Sequence, residues 1–159
     1  MAIYFCESSA LVKRYVHETG SDWMLTLLAP HVGHSCYIAR ITGVEVVSAI
    51  TRRTRGGDIT ATDAVSALAQ FRQDFVTTYR IIEITPALIV RAMALAETHA
   101  LRGYDAVQLA AAVEVNVQMH TLGLPTLTCI SADGTLNAAA GLEGLAVEDP
   151  NTRETGRQT

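Results

Sequence analysis

The sequence predicts a single α/β domain built on a central, mostly parallel sheet. Short apolar runs of strand length recur along the chain, each is followed by a segment with helical periodicity, and the two kinds alternate from end to end. At 159 residues, with 49% apolar and 18% charged side chains, the chain is long enough for one core and too apolar for a disordered state.

"IYFC" (3–6) is the first strand, short and wholly apolar. Ser8 or Ser9 is placed to cap the helix that follows, "ALVKRYV", whose inner side carries Leu11, Val12 and Tyr15. Gly20 ends that helix, Ser21 caps the next, and "WMLTLLA" runs up to Pro30. "HSCYIA" reads as a brief strand. From about Arg40 to Arg53, Ile41, Val44, Val47 and Ile50 mark one helical face until "RGGD" breaks it. A longer helix spans about Thr60 to Thr77, "YRIIEI" is a strand, and Thr85-Pro86 opens a helix to about Ala100, with Pro suited to a first turn. Another helix, rich in alanine, restarts at Gly103. "PTLTCIS" is a strand with Asp133 at its end, followed by the helical "GTLNAAAG" and a last strand, "LAVE". Residues 1–149 form the expected domain and 150–159 a polar, frayed tail. No internal repeat or linker interrupts this order.

Four acids stand out against this background. Glu7 ends the first strand where a helix begins, Glu45 lies in an apolar helical stretch, Asp105 falls in the first turn of the alanine-rich helix, and Asp133 follows a strand. Capping or the helix dipole explains Asp105 or Asp133 taken singly. Glu45 is harder to explain so, because an ionised carboxylate among Val44, Val46 and Val47 is costly unless paired or ligating. Glu7 and Asp133 also occupy strand ends, where open α/β sheets place their functional crevice. Carboxylates gathered there would repel one another, and a divalent cation held by oxygen ligands, Mg²⁺ or Mn²⁺, resolves that repulsion.

Four stretches in order, "IYFCESSALVKRY", "ARITGVEVVSAITRR", "LRGYDAVQLAAA" and "CISADGTLNAAAGLEGL", make the chain resemble a PIN domain, and within that superfamily a VapC-type toxin ribonuclease. They span most of the sequence. The resemblance implies a three-layer α/β/α fold and a Mg²⁺- or Mn²⁺-dependent endoribonuclease with Glu7, Glu45, Asp105 and Asp133 as catalytic and metal-binding acids, supported by Ser9 and Ser131. In-line attack of an activated water on phosphorus would leave a 5′-phosphate and a 3′-hydroxyl. It also implies a cognate antitoxin protein, an RNA substrate and a homodimer. The chain departs from the family pattern at Glu7, where the family has Asp. The extra methylene moves the carboxylate by about 1.5 Å, and a misplacement near 1 Å costs on the order of 10²-fold in rate. A PIN-like RNA- or protein-binding module with weakened catalysis is therefore the alternative. A phospho-receiver fits poorly, since the third strand carries "IIEIT" and no lysine follows Lys13.

The remaining features set bounds. A net charge of −4 lowers the expectation of nucleic-acid binding without removing it. Lys13 and Arg14, and the cluster of Arg52, Arg53 and Arg55, are the candidate RNA-backbone contacts, although cations also complement a helix C-terminus. His31, His34 and Cys36 lack the second ligand pair of a zinc site and are expected in a solvated loop. Three cysteines, two of them in expected strands, fit buried free thiols and a cytoplasmic setting. No secretory signal is evident, and no apolar run approaches the roughly 20 residues of a membrane span.

Overall fold

The computed structural model of the chain describes residues 1–153. In order, the elements are β1 (Ile3–Cys6), α1 (Ser8–Leu11) continuing into a 3-10 turn over Val12–Arg14, α2 (Ser21–Leu27), β2 (Ser35–Ala39), α3 (Thr42–Arg55), α4 (Ala61–Thr77), β3 (Arg80–Ile82), α5 (Pro86–His99), α6 (Gly103–Thr121), β4 (Thr128–Ile130), α7 (Gly134–Leu142) and β5 (Ala146–Glu148). The strands lie in the order β3-β2-β1-β4-β5, with every pairing parallel. The expected mostly parallel sheet is thus wholly parallel among the described residues.

Side-chain alternation divides the core into two layers, one on each face of the sheet. Phe5, Ala39 and Cys129 point to one face, where they meet Leu88 and Leu95 of α5, Leu109 and Val115 of α6, and Leu136 of α7. Cys6, Ile38 and Ile130 point to the other, against Leu11 of α1, Met24 of α2, Val46 and Ile50 of α3, and Phe71 of α4. The result is the expected three-layer α/β/α sandwich. Ala110, Ala111 and Ala112 of α6 are all fully buried, and their small side chains let that helix pack closely.

The topology also sets where a site can form. β1 sits at the centre, with Tyr4 paired to Cys36 on one side and Thr128 on the other. The chain builds β2 and β3 on one flank before returning to add β4 and β5 on the other. α1 packs on one face of the sheet and α7 on the opposite face. The segments leaving β1 and β4 therefore lead to helices on opposite faces, which places a crevice at the carboxyl ends of these strands.

Local caps differ from expectation at two helices. Glu7, and not Ser8 or Ser9, is the N-cap of α1, accepting from the Ser9 amide. Gly20, and not Ser21, precedes α2; the Ser21 hydroxyl instead donates to the Val16 carbonyl and accepts from the Glu18 amide. Cys36 is buried in β2, and His34 packs edge-on against Tyr4, so neither belongs to a solvated loop.

Part of the segment expected as a polar tail is packed: Pro150–Thr152 form a 3-10 turn with Pro150 buried. The remainder of that segment, 154–159, lies outside the described residues. Gly20 accounts for the packing, having φ +85° and lying so close to the turn that a Cβ would sit 2.5 Å from the Pro150 carbonyl oxygen. Gly20→Ala is expected to lower Tm by roughly 5 °C or more, through left-handed strain of about 1–2 kcal/mol and the clash. A thermal melt checks this, and an unchanged Tm contradicts the contact.

Candidate active site

Glu7 leaves β1 at the crevice and is only 3% exposed. Its carboxylate accepts from the hydroxyl of Ser8 at 2.6 Å, the amide of Ser9 at 2.9 Å, the hydroxyl of Ser9, and the hydroxyl of Ser131 at 3.3 Å. Four donors occupy most of the lone-pair sites of a carboxylate and offset the cost of burying it. The serines also relay the contact to the loop after β4: the Ala132 amide donates to Ser9 Oγ, and the Asp133 amide to Ser131 Oγ. Glu7 thereby ties the ends of the two central strands together. Its longer side chain folds back onto the serines beside it.

Glu45 comes from the first turn of α3 and faces Glu7 across Ser8, whose hydroxyl lies 3.1 Å from Glu45 Oε2. Ser8 has one proton to give, and the shorter distance directs it to Glu7. The other oxygen of Glu45 accepts from Gln108 Nε2 at 2.6 Å, and the same amide donates to Thr42 Oγ1 at 2.8 Å. Burial pushes the Glu45 carboxyl above its ordinary range; the Gln108 bond pulls it back, and the charges of Glu7 and Asp105 push it further up. Asp105 lies in the first turn of α6 and accepts no hydrogen bond from a described residue. Its carboxyl is likewise raised, by burial and then by the charges of Asp133 and Glu7, against a smaller pull from Arg102. Asp133 caps α7 through Oδ1, which accepts from the Leu136 amide at 2.9 Å. Asn137 braces the same loop by donating to the Ser131 carbonyl.

Glu45 is thus brought within electrostatic reach of Glu7 and Asp105, and Asp105 within reach of Asp133 and Glu7, with Ser9 and Ser131 bonded to Glu7 between the strand ends. The acids' chemistry suits a hard divalent cation: oxygen donors only, with two of the acids held uncomfortably charged by their neighbours. Among the described residues, however, no three acidic, histidine or cysteine side chains form a ready-made metal cage. Glu7 is committed to its serines and Asp133 to its helix. Asp105 keeps both oxygens open, and Glu45 keeps Oε2, which the Ser8 proton leaves free, a donor set that fits Mg²⁺, which binds through one or two carboxylates and retains several waters.

The cations sort differently from expectation. Lys13 is buried and pairs with Glu18 at 3.1 Å. Arg14 donates to the Leu28 carbonyl at 2.8 Å and lies 3.6 Å from Asp74, whose carboxylate also accepts from Tyr15. Arg53 pairs with the same Glu18 at 2.9 Å. These three tie the 3-10 turn to neighbouring elements, and Lys13 and Arg14 do not stand free along the crevice. Arg52 is exposed at the edge of a cleft of about 450 Å³ that also reaches Glu45, Ser8 and Ser9.

Gln108 is a site residue that the sequence reading passed over. It sits three residues beyond Asp105, on the same face of α6, and is 1% exposed. A polar side chain inside "AVQLAAA" was the available signal, since buried amides require partners. Its Oε1 has no partner among the described residues, and its amide nitrogen makes the two donor bonds that hold the side chain.

The raised carboxyls yield a signed prediction. Glu45 and Asp105 have ordinary values of 4.5 and 3.8 and take up protons more readily folded than unfolded. Their contribution to stability is therefore full below those values and lost as pH rises through the raised folded ones. In EDTA, lowering pH from neutral toward 5 is expected to favour the fold of wild type more than that of Glu45→Gln. Melts of both proteins across that range check the difference, and parallel pH profiles contradict it.

No family model matches the chain. Curated relatives are found over nearly its whole length. Ribonuclease VapC45 of Mycobacterium tuberculosis (strain CDC 1551 / Oshkosh) is 33% identical over 150 residues, covering 92% of this chain and 95% of the relative. Ribonuclease VapC49 of Mycobacterium tuberculosis (strain ATCC 25618 / H37Rv) gives the same figures, 33% over 150 residues with 92% and 95% coverage. Among solved structures, VapBC2 from Rickettsia felis bound to a promoter DNA fragment aligns at TM-score 0.59 and 16% identity, over 92% of this chain and 98% of its own. FitAcB from Neisseria gonorrhoeae aligns at TM-score 0.61 and 16% identity, over 95% and 99%. PAE2754 from Pyrobaculum aerophilum aligns at TM-score 0.62 and 20% identity, over 95% and 85%. The structural likenesses carry the fold, and the identity to the curated relatives carries the family: the chain belongs to the VapC ribonucleases.

Proposed function

We propose that this chain is a divalent-metal-dependent endoribonuclease acting as the toxin of a toxin–antitoxin pair. The observation that carries the reading is the convergence of Glu7, Glu45, Asp105 and Asp133 at the crevice beyond β1 and β4, where Glu45 and Asp105 are raised partly by the other acids' charges. Asp105 and Glu45 are the proposed ligands of Mg²⁺ or Mn²⁺, with Asp133 and Glu7 adding negative charge around them. The ion would lower the pKa of an attacking water and offset charge on the phosphoryl oxygens. The chain's own residues do the rest. Gln108 holds Glu45 in place, Glu7 and its serines fix the loop carrying Asp133, and Asp105 or Glu45 takes the proton from the water as general base.

An antitoxin, a homodimer and a cytoplasmic setting belong to the same proposal. In its support, a second cleft of about 450 Å³ is lined by Val44, Val47, Phe71, Phe75 and Val76 between α3 and α4, an apolar surface suited to a segment of the antitoxin. No helix among the described residues is long and apolar enough to cross a membrane. The second reading, a binding module with weakened catalysis, draws on the saturation of Glu7 by four donors.

RNA cleavage by antitoxin-free protein in Mg²⁺, Mn²⁺ and EDTA tests the proposal. Wild type is expected to cut only with a divalent ion. Asp105→Asn should lower the rate by at least about 10²-fold, and Gln108→Leu by about 10- to 100-fold, in keeping with losses on removing a ligand's support. Silence of both wild type and Glu7→Asp across varied RNAs would favour the binding module instead.

A further inference from the structure

Beside the acids runs a cleft whose lining suits a nucleic-acid strand more than a small molecule. Along α3, Glu45, Ser48, Ala49 and Arg52 all line it, at the spacing that sets side chains on one stripe of a helix. Seven residues separate Glu45 from Arg52, about 10 Å of helix. A strand with one phosphate at the acids would thus bring a neighbouring phosphate toward the guanidinium. From α6, Tyr104 lines the same cleft, immediately before Asp105 in the chain. Tyr104 is 65% exposed, in the first turn of α6 beside the half-buried Asp105. Arg52 is also exposed and forms no ion pair with a described residue, unlike Arg53 beside it.

We propose that Tyr104 and Arg52 form a binding subsite for single-stranded RNA, with a base stacked on the Tyr104 ring and a backbone phosphate on Arg52. The proposal rests on the nuclease reading and adds to it two named contacts for the RNA strand. Charge supports the assignment. The chain carries a net −4, and Lys13, Arg14 and Arg53 are engaged by Glu18 and Asp74. Phosphate contacts are therefore few, and affinity for RNA needs another source. Stacking on an exposed aromatic supplies it without regard to sequence, because every base presents a π-face. A duplex keeps its bases stacked on each other and offers the ring nothing comparable.

The test measures fluorescence anisotropy of labelled twelve-residue oligo(A), oligo(U) and an abasic ribose-phosphate strand of the same length, all against protein in the Asp105→Asn background to prevent cutting. Adding Tyr104→Ala is expected to weaken binding of oligo(A) and oligo(U) by about tenfold while leaving the abasic strand unaffected. Tyr104→Phe should bind all three as the background does. Adding Arg52→Ala should weaken all three strands alike and lower the slope of log K against log salt by about 0.7. The proposal is overturned if Tyr104→Ala binds oligo(A) and oligo(U) normally, which would leave the ring to a protein contact. It is also overturned if the abasic strand suffers the same loss, or if the background protein binds no oligonucleotide. Failure of the nuclease reading looks different: Tyr104-dependent binding would persist while wild type cut no RNA with any metal.

Discussion

The site depends on one buried carboxylate. Glu7 stands at the end of the central strand, almost out of solvent, and four donors from Ser8, Ser9 and Ser131 hold it there. A buried carboxylate without such partners would cost several kcal/mol, so the serines beside it and the strand end across from it must all be in register. Because Ser9 and Ser131 pass the contact on to the amides of Ala132 and Asp133, the same interaction fixes the loop that carries the fourth acid. Parallel pairing of β1 with β4 brings those two loops together, and Glu7 locks them.

Around this anchor the molecule keeps negative charge concentrated and uses its positive charge elsewhere. Lys13 and Arg53 share Glu18, and Arg14 sits against Asp74 and the Leu28 carbonyl. These pairs tie the 3-10 turn and the loop after it to neighbouring elements. Glu45 and Asp105 are left raised by burial and by the other acids. That arrangement is unfavourable for an empty fold, and a bound cation would remove the penalty. On the proposed reading, function and stability pull in opposite directions at this crevice, as is common where charge is gathered for catalysis.

Much of this was legible in the sequence, for identifiable reasons. Strands such as "IYFC" and "TCI" are apolar on both faces because the sheet is covered on both faces, and Thr60, Thr85 and Asp133 mark helix starts that the structure uses. The four acids stood out because carboxylates at strand ends and inside apolar helices are costly. What stayed hidden was orientation. Nothing local to "CESSA" says that Glu7 caps its own helix instead of projecting outward, since the third donor group, Ser131, comes from the far end of the chain. Likewise Lys13 and Arg14 look available until Glu18 and Asp74 fold onto them. Gln108 acquires meaning only when α6 lies against Thr42 and Glu45. Periodicity reveals which face of an element is buried, whereas the partners of a polar side chain are set by tertiary packing.

The central claim is that this crevice is a cation site with Asp105 and Glu45 as its ligands. Calorimetric titration of chelator-stripped protein with Mn²⁺, in the absence of RNA, tests it most directly. The account predicts saturable binding by wild type that is lost in Asp105→Asn and sharply weakened in Glu45→Gln, with both variants still folded. Absence of Mn²⁺ binding, or binding indifferent to both substitutions, would contradict it.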